Sequence, residues 1–192
     1  LTEIFFNFHI PIARYLHRLR CRKPKLRLIA VAKNEARYLP EWLLHHLFFG
    51  VDDIEVYYNQ CSDNTQDLSK VFSKLFPIKF INADSSFQEN CTSPQIKVYR
   101  EALNKAYKDR CSHVLFLDVD EFLFPKDMKL SIKSLVCDKN DLDVICVNWL
   151  NKLNDKDLFG RAFEKQMSVE VSPTIKSIVK SFLGPVPMNP HT

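Results

Sequence analysis

A chain of 192 residues, 46% apolar and 26% charged, has enough material for one sizeable core and too little for two. Its three glycines form neither a GxGxxG nor a GxxxxGK[ST] run, which excludes the glycine-rich phosphate loops and means a nucleotide must be held by other groups. The net charge of +4 is modest but unevenly spread, and no uncharged apolar run is long enough to span a bilayer.

Residues 1–25 join an apolar, aromatic stretch, IFFNFHIPIARYL, to a basic one: seven Lys/Arg and no acid lie between Arg14 and Arg27. That pairing suits a peripheral helix on an anionic membrane surface, apolar face inserted and basic residues near the headgroups. It suits equally a basic helix packed on its own domain. Nucleic acid is not expected as a partner, because no recognisable nucleic-acid module accompanies the charge. No small-residue cleavage pattern follows the apolar start, so a secretory leader is not expected. Six cysteines, Cys21, Cys61, Cys91, Cys111, Cys137 and Cys146, occur without a CxxC and are expected to be reduced and mostly buried. The expected setting is cytoplasmic, peripheral on the inner face of a membrane.

LRLIAV (Leu26 to Val31) is a short apolar run of strand length, and a helix follows with Leu39, Trp42, Leu43 and Leu47 at helical spacing and Gly50 as its stop. IEVYY (Ile54 to Tyr58) is the next strand, NQCSDNT (Asn59 to Thr65) a polar turn, and a helix runs to about Phe76. IKFIN is a third strand, and a helix from Gln95 carries Ile96, Tyr99, Leu103 and Tyr107 on one stripe. HVLFLDVDEFLF (His113 to Phe124) is predicted as a fourth strand and DVICVNWL (Asp143 to Leu150) as another. Near-continuous apolar strands alternating with helices predict an α/β fold with a mostly parallel central sheet covered on both faces. Ligands in such sheets bind beyond the carboxyl ends of the strands, which selects the KNE, NQCSDNT and DVDE segments.

Within FLDVDEFLF, alternation along a strand places Asp118 and Asp120 on one side, about 7 Å apart, with Glu121 opposed to them or leaving the strand. Two such carboxylates cannot both be buried and bare, since desolvation and mutual repulsion would protonate one. A divalent cation, Mg²⁺ or Mn²⁺, removes that conflict and leaves coordination positions for water and phosphate oxygens. It would neutralise charge building on a diphosphate leaving group. The plainer alternative is a pair of strand-end residues that are simply solvated or paired with lysines. Asn34 and Glu35 can hydrogen-bond a base edge or ribose hydroxyls, or cap the next helix, and Asp63 has the same two readings.

VAKNEARYLPEWLLHHLFFGVDDIEVYYNQCSDNT followed by HVLFLDVDEFLF resembles the glycosyltransferase-2-like proteins of the GT-A fold, in the branch with a KNE…EW…H…G opening and a DxDEF centre. The likeness extends, more weakly, from about Leu26 to His191. It implies a Rossmann-like three-layer α/β/α domain over residues 26–192, cut short at its C-terminus. It places Asn34, Glu35 and Asp63 in the pocket for a nucleotide-sugar donor, and Asp118 and Asp120 on Mn²⁺ or Mg²⁺ against the donor diphosphate. Glu121 would support the loop or the acceptor side. The segment IKSIVKSFLGPVPMNPH resembles the family's terminal lysine-containing strand and loop, in which His191 would complete the metal or diphosphate site.

The implied reaction is transfer of a hexosyl unit from a nucleotide diphosphate sugar to a hydroxyl of a glycan or lipid-linked acceptor, as in assembly of a bacterial surface polysaccharide or lipopolysaccharide. The region after VNWL departs from the pattern, so Glu121, Asp157 and Glu164 all stand as candidates for the base that deprotonates the acceptor. Another Mg²⁺-dependent nucleotide- or phosphate-transfer enzyme, and a non-catalytic nucleotide-binding relative, are the alternatives.

Overall fold

A computed structural model of the chain describes residues 23–88, 92–153, 162 and 167–183. Among these residues six strands form one sheet in the order β3-β2-β1-β4-β6-β5. They are β1 (Leu26–Ala32), β2 (Asp53–Tyr58), β3 (Ile78–Asn82), β4 (His113–Phe116), β5 (Val144–Lys152) and β6 (Val169–Lys180). The first four are mutually parallel, whereas β6 runs antiparallel to both β4 and β5.

Among the described residues four α-helices cover the sheet: α1 (Leu39–Phe48), α2 (Thr65–Leu75), α3 (Pro94–Lys108) and α4 (Ile132–Asp138). Alternation along the strands builds two cores. Leu26, Leu28, Ala30 and Ala32 of β1, with Ile54, Val56 and Leu115, face Leu39, Trp42 and Leu43 of α1 and Ile132 and Val136 of α4. Leu68 and Phe72 of α2 pack against the same core. On the other face Ile29, Tyr57, Val114 and Phe116 meet Val98, Tyr99, Ala102, Leu103 and Ala106 of α3. The predicted three-layer, mostly parallel α/β sandwich is therefore the one observed.

The chain leaves β3 at one edge and returns through α3 to β4 on the far side of β1, so the strand order reverses between β1 and β4. That reversal opens a crevice beyond the carboxyl ends of those two strands, where a doubly wound sheet binds its ligands.

Several expectations need correcting. β4 stops at Phe116, not Phe124. Leu117 still bonds to Ile29, but beyond it Glu121 N–H donates to Asp118 O at 3.1 Å, so the carboxylates lie on a turn and strand alternation does not govern them. Two described cysteines, Cys137 and Cys146, are exposed, Cys61 is half-buried and only Cys111 is buried. Exposed positions of α4 and of the β5 edge strand account for the first two. The last arginine of the basic run does not face solvent: Arg27 is buried between β1 and α3, bonded to Asp53 through Nε and Nη2 and to Asp109 and Glu55 through Nη1. Residues 1–22, which hold most of the proposed membrane-surface segment, lie outside the described residues. Among the described residues no helix is long and apolar enough to cross a membrane.

Candidate active site

Beyond β1 the chain turns through Asn34, whose φ of 60° is a left-handed conformation that asparagine tolerates better than most residues. Asn34 Oδ1 accepts from the Ser62 amide at 2.7 Å, tying the loop after β1 to the loop after β2. Asp63 makes the second tie. Its Oδ2 accepts from the Ala36 amide at 2.8 Å, while Oδ1 accepts from the Thr65 hydroxyl at 2.6 Å and the Thr65 amide at 3.1 Å. Burial alone would raise this carboxyl, but the Thr65 hydroxyl and the Ala36 and Thr65 amides hold it below the ordinary carboxylate range. Asp63 thus holds Thr65, the first residue of α2, and braces the first loop at once.

Glu35 lies between those ties. Its carbonyl accepts from Tyr38 and Leu39 at the entry to α1, and its carboxyl is half-buried. Burial, with the negative charges of Asp120 and Asp63 close by, pushes the Glu35 carboxyl up. Glu35, at the end of β1, thus lies within electrostatic reach of Asp63 and Asp120, which follow β2 and β4.

On the far side of the crevice, Asp118 and Glu121 are locked together. Glu121 Oε2 accepts from the Asp118 amide at 3.0 Å and pairs with Lys176 Nζ at 2.9 Å. Lys176 also lies 3.7 Å from Asp118 Oδ2 and 4.8 Å from the centroid of the Trp149 ring. Gln95, at the start of α3, reaches Asp118 Oδ1 at 3.4 Å and Tyr99 Oη at 3.0 Å. Burial pushes the Glu121 carboxyl up despite Lys176 and the Asp118 amide, and its Oε1 is buried with no hydrogen-bond partner.

Lys176 reaches this place because β6 is antiparallel. Its Ile178 pairs with Leu115, so the residues before Ile178 run past the carboxyl end of β4 into the crevice. The lysine was missed as a site residue in the sequence. The available signal was the alternation of SPTIKSIVK, which places Lys176 on the same side as Ile178, a core residue.

The structure therefore brings together Asn34, Glu35, Asp63, Asp118, Asp120 and Glu121 along one rim. Asp157, Glu164 and His191 lie outside the described residues. Among the described residues no group of three or more His, Cys, Asp or Glu side chains is placed to hold a metal ion by itself.

The sequence profile of glycosyltransferase family 92 matches residues 29–182, which spans both halves of this rim. A family 92 glycosyltransferase protein of Oryza sativa subsp. japonica is 27% identical over 127 residues, covering 62% of this chain and 20% of that protein. One of Arabidopsis thaliana is 26% identical over 133 residues, covering 64% and 22%. The chain thus spans about a fifth of the length of these two relatives. Among solved structures, the crystal structure of S. aureus TarS 1-349 superposes with a TM-score of 0.56 at 17% identity, covering 83% of this chain and 48% of that one. The resemblance read from the KNE and DxDEF segments holds at the level of a glycosyltransferase, and the family that matches is family 92. From residue 29 to residue 182, and so across the whole described rim, the chain belongs to glycosyltransferase family 92.

Proposed function

We propose that this chain forms the donor-binding part of a metal-dependent glycosyltransferase, which moves a sugar from a nucleotide diphosphate sugar to a hydroxyl of a glycan or lipid-linked acceptor. The observation that supports the reading is the meeting of the loops after β1, β2 and β4: Asn34 and Asp63 tie the first two together by hydrogen bonds, and Asp120 lies close enough to Glu35 to help burial raise its carboxyl. Carboxylates gathered beside the strand-order reversal cost stability unless a cation or a set of donors joins them.

The donor set fits a divalent cation in kind. Asp118 and Asp120 offer hard oxygen ligands, and their small number leaves room for diphosphate oxygens. Bound there, Mn²⁺ or Mg²⁺ would neutralise charge on the leaving diphosphate. The chain's own groups have separate tasks. Asn34 and Asp63 hold the two loops that would flank the nucleoside, with Glu35 presented to its base or ribose. Lys176 supplies a fixed positive charge next to Asp118. Glu121, with Oε2 bound to Lys176 and the Asp118 amide, acts as a holding residue, which leaves Asp157 and Glu164 as the candidate bases. The basic, aromatic segment before Leu26 would bring the enzyme to acceptors at a membrane surface.

Calorimetric titration of UDP and GDP, with and without Mn²⁺, tests the reading. Metal-dependent binding by the wild-type chain, lost in Asp118→Ala/Asp120→Ala, is the expected result. Absence of nucleotide binding under every metal condition, in this chain and in one extended beyond Thr192, would refute it.

A further inference from the structure

The carboxylate turn is not fixed by its own hydrogen bonds alone. Its backbone hangs from one face of α1. Trp42 Nε1–H donates to the Glu121 carbonyl at 2.8 Å. His45 Nε2–H donates to the Leu123 carbonyl at 2.9 Å. His46 Nε2 accepts from the Leu123 amide at 3.2 Å, and its Nδ1–H donates to Trp42 O at 2.8 Å. Leu123 is therefore held at both of its backbone polar groups, by two histidines in opposite tautomers.

The rings support the same arrangement. Phe122 packs edge-on against His45, with centroids 5.1 Å apart, and stacks on His46 at 6.0 Å. Trp42 and His46 are fully buried, and burial together with the neighbouring His45 holds the His46 imidazole down to about 3, so it stays a neutral acceptor. An apolar side chain of similar volume would fill these places if packing were their whole purpose. Three polar rings are aimed instead at backbone groups of residues 121–123, next to the carboxylates of Asp118 and Asp120.

The same helix begins at Leu39, four residues after Glu35, whose carbonyl accepts from the Tyr38 and Leu39 amides at its entry. We infer that α1 is a rigid gauge between the two halves of the donor site, with Trp42, His45 and His46 as positioning residues that set the height of the Asp118–Asp120 turn relative to Glu35. This inference rests on the donor-site reading above.

Its test compares paired variants of the full chain. Trp42→Phe keeps a buried ring but removes the N–H that reaches Glu121 together with part of the ring volume, so it is read beside the His45 variants. His45→Leu removes the donor to Leu123, and His45→Gln restores an N–H at about the same reach. Each is titrated with UDP, or GDP if that is the nucleotide bound, with and without Mn²⁺. Hydrogen exchange of residues 118–124 reports the freedom of the turn.

Loss of one such hydrogen bond is expected to weaken Mn²⁺-dependent nucleotide binding roughly tenfold. Metal-free binding should stay within about twofold, because the Asn34 and Asp63 ties are untouched. His45→Gln should recover most of the loss, and exchange in the turn should rise in Trp42→Phe and His45→Leu. Unchanged Mn²⁺-dependent affinity in a turn that exchanges faster would overturn the gauge and leave the donor site standing. Equal loss with and without metal would also overturn it. Failure of nucleotide to bind both this chain and the one extended beyond Thr192 would remove the donor site itself, and the gauge with it.

Discussion

Glu121→Ala and Glu121→Gln should differ sharply in stability, although both remove the same negative charge. In the folded chain the Glu121 and Lys176 side chains are 10% and 8% exposed, with N and O 2.9 Å apart. Truncation leaves the ammonium with the more distant Asp118 carboxylate at 3.7 Å and takes away the acceptor of the Asp118 amide. Breaking a buried pair from one side costs about 3–5 kcal/mol, and the remaining Asp118 partner places this case near 3 kcal/mol.

Glutamine keeps an oxygen for the Asp118 amide and fills the same volume. Burial already pushes the Glu121 carboxyl up, so Lys176 does not fully offset desolvation of the ionised form. A neutral amide should cost only about 1 kcal/mol. Urea unfolding with linear extrapolation separates the two values. The pH dependence supplies a second check. A carboxyl raised in the folded state contributes stability that is present below its ordinary range and lost as pH rises through the raised value. Wild type should therefore lose stability relative to Glu121→Gln as pH climbs out of the ordinary glutamate range. A Glu121→Ala penalty no larger than that of Glu121→Gln would refute the claim that the carboxylate is a structural partner of Lys176 and Asp118.

Glu35→Gln should be more stable than wild type near neutral pH, since it relieves burial and repulsion from Asp120 and Asp63, with the difference closing as pH falls into the ordinary glutamate range. Thermal melts across that range measure it, and Mn²⁺-dependent nucleotide binding should weaken in the same variant. Gly50→Ala should cost about 1–2 kcal/mol in urea unfolding for the backbone alone. Gly50 has φ of 91°, and an added Cβ would meet Ser131 Cβ at 3.2 Å and Lys133 Cβ at 3.3 Å, neither of which can swing aside. Arg27→Ala should cost about 3–5 kcal/mol by the same assay, because Glu55 and Asp53 lose a buried partner between β1 and α3.

The sheet and its covering helices were legible because β1, β2 and β4 carry apolar residues on both faces, a pattern typical of parallel strands buried from both sides. α3 was read with the right stripe in part: Tyr99 and Leu103 are buried, and Val98, Ala102 and Ala106 complete the face, their small side chains giving a weak periodic signal. The loops at the strand ends were also foreseen, since the parallel order dictates where they gather. β4 was overextended because Leu117 and Val119 do enter the core and continue the apolar run, while the Asp118 to Glu121 hydrogen bonds that end the strand leave no mark on hydropathy. Of Trp42, His45 and His46, only Trp42 fell on the predicted stripe of Leu39, Trp42, Leu43 and Leu47. Their hydrogen bonds to residues 121–123 cross 77 to 79 positions of sequence, which no local pattern encodes.

The insertion of β6 between β4 and β5 also has a consequence for how the chain is assembled during synthesis. Among the described residues β5 pairs with β6 alone, and β4 has β1 on its other side. A nascent chain that has made β1 to β5 must keep the β4 edge open, an aggregation-prone state for an apolar strand, until residues 169–180 emerge. The same strand delivers Lys176, so covering the β4 edge and supplying the ammonium of the carboxylate rim depend on one segment.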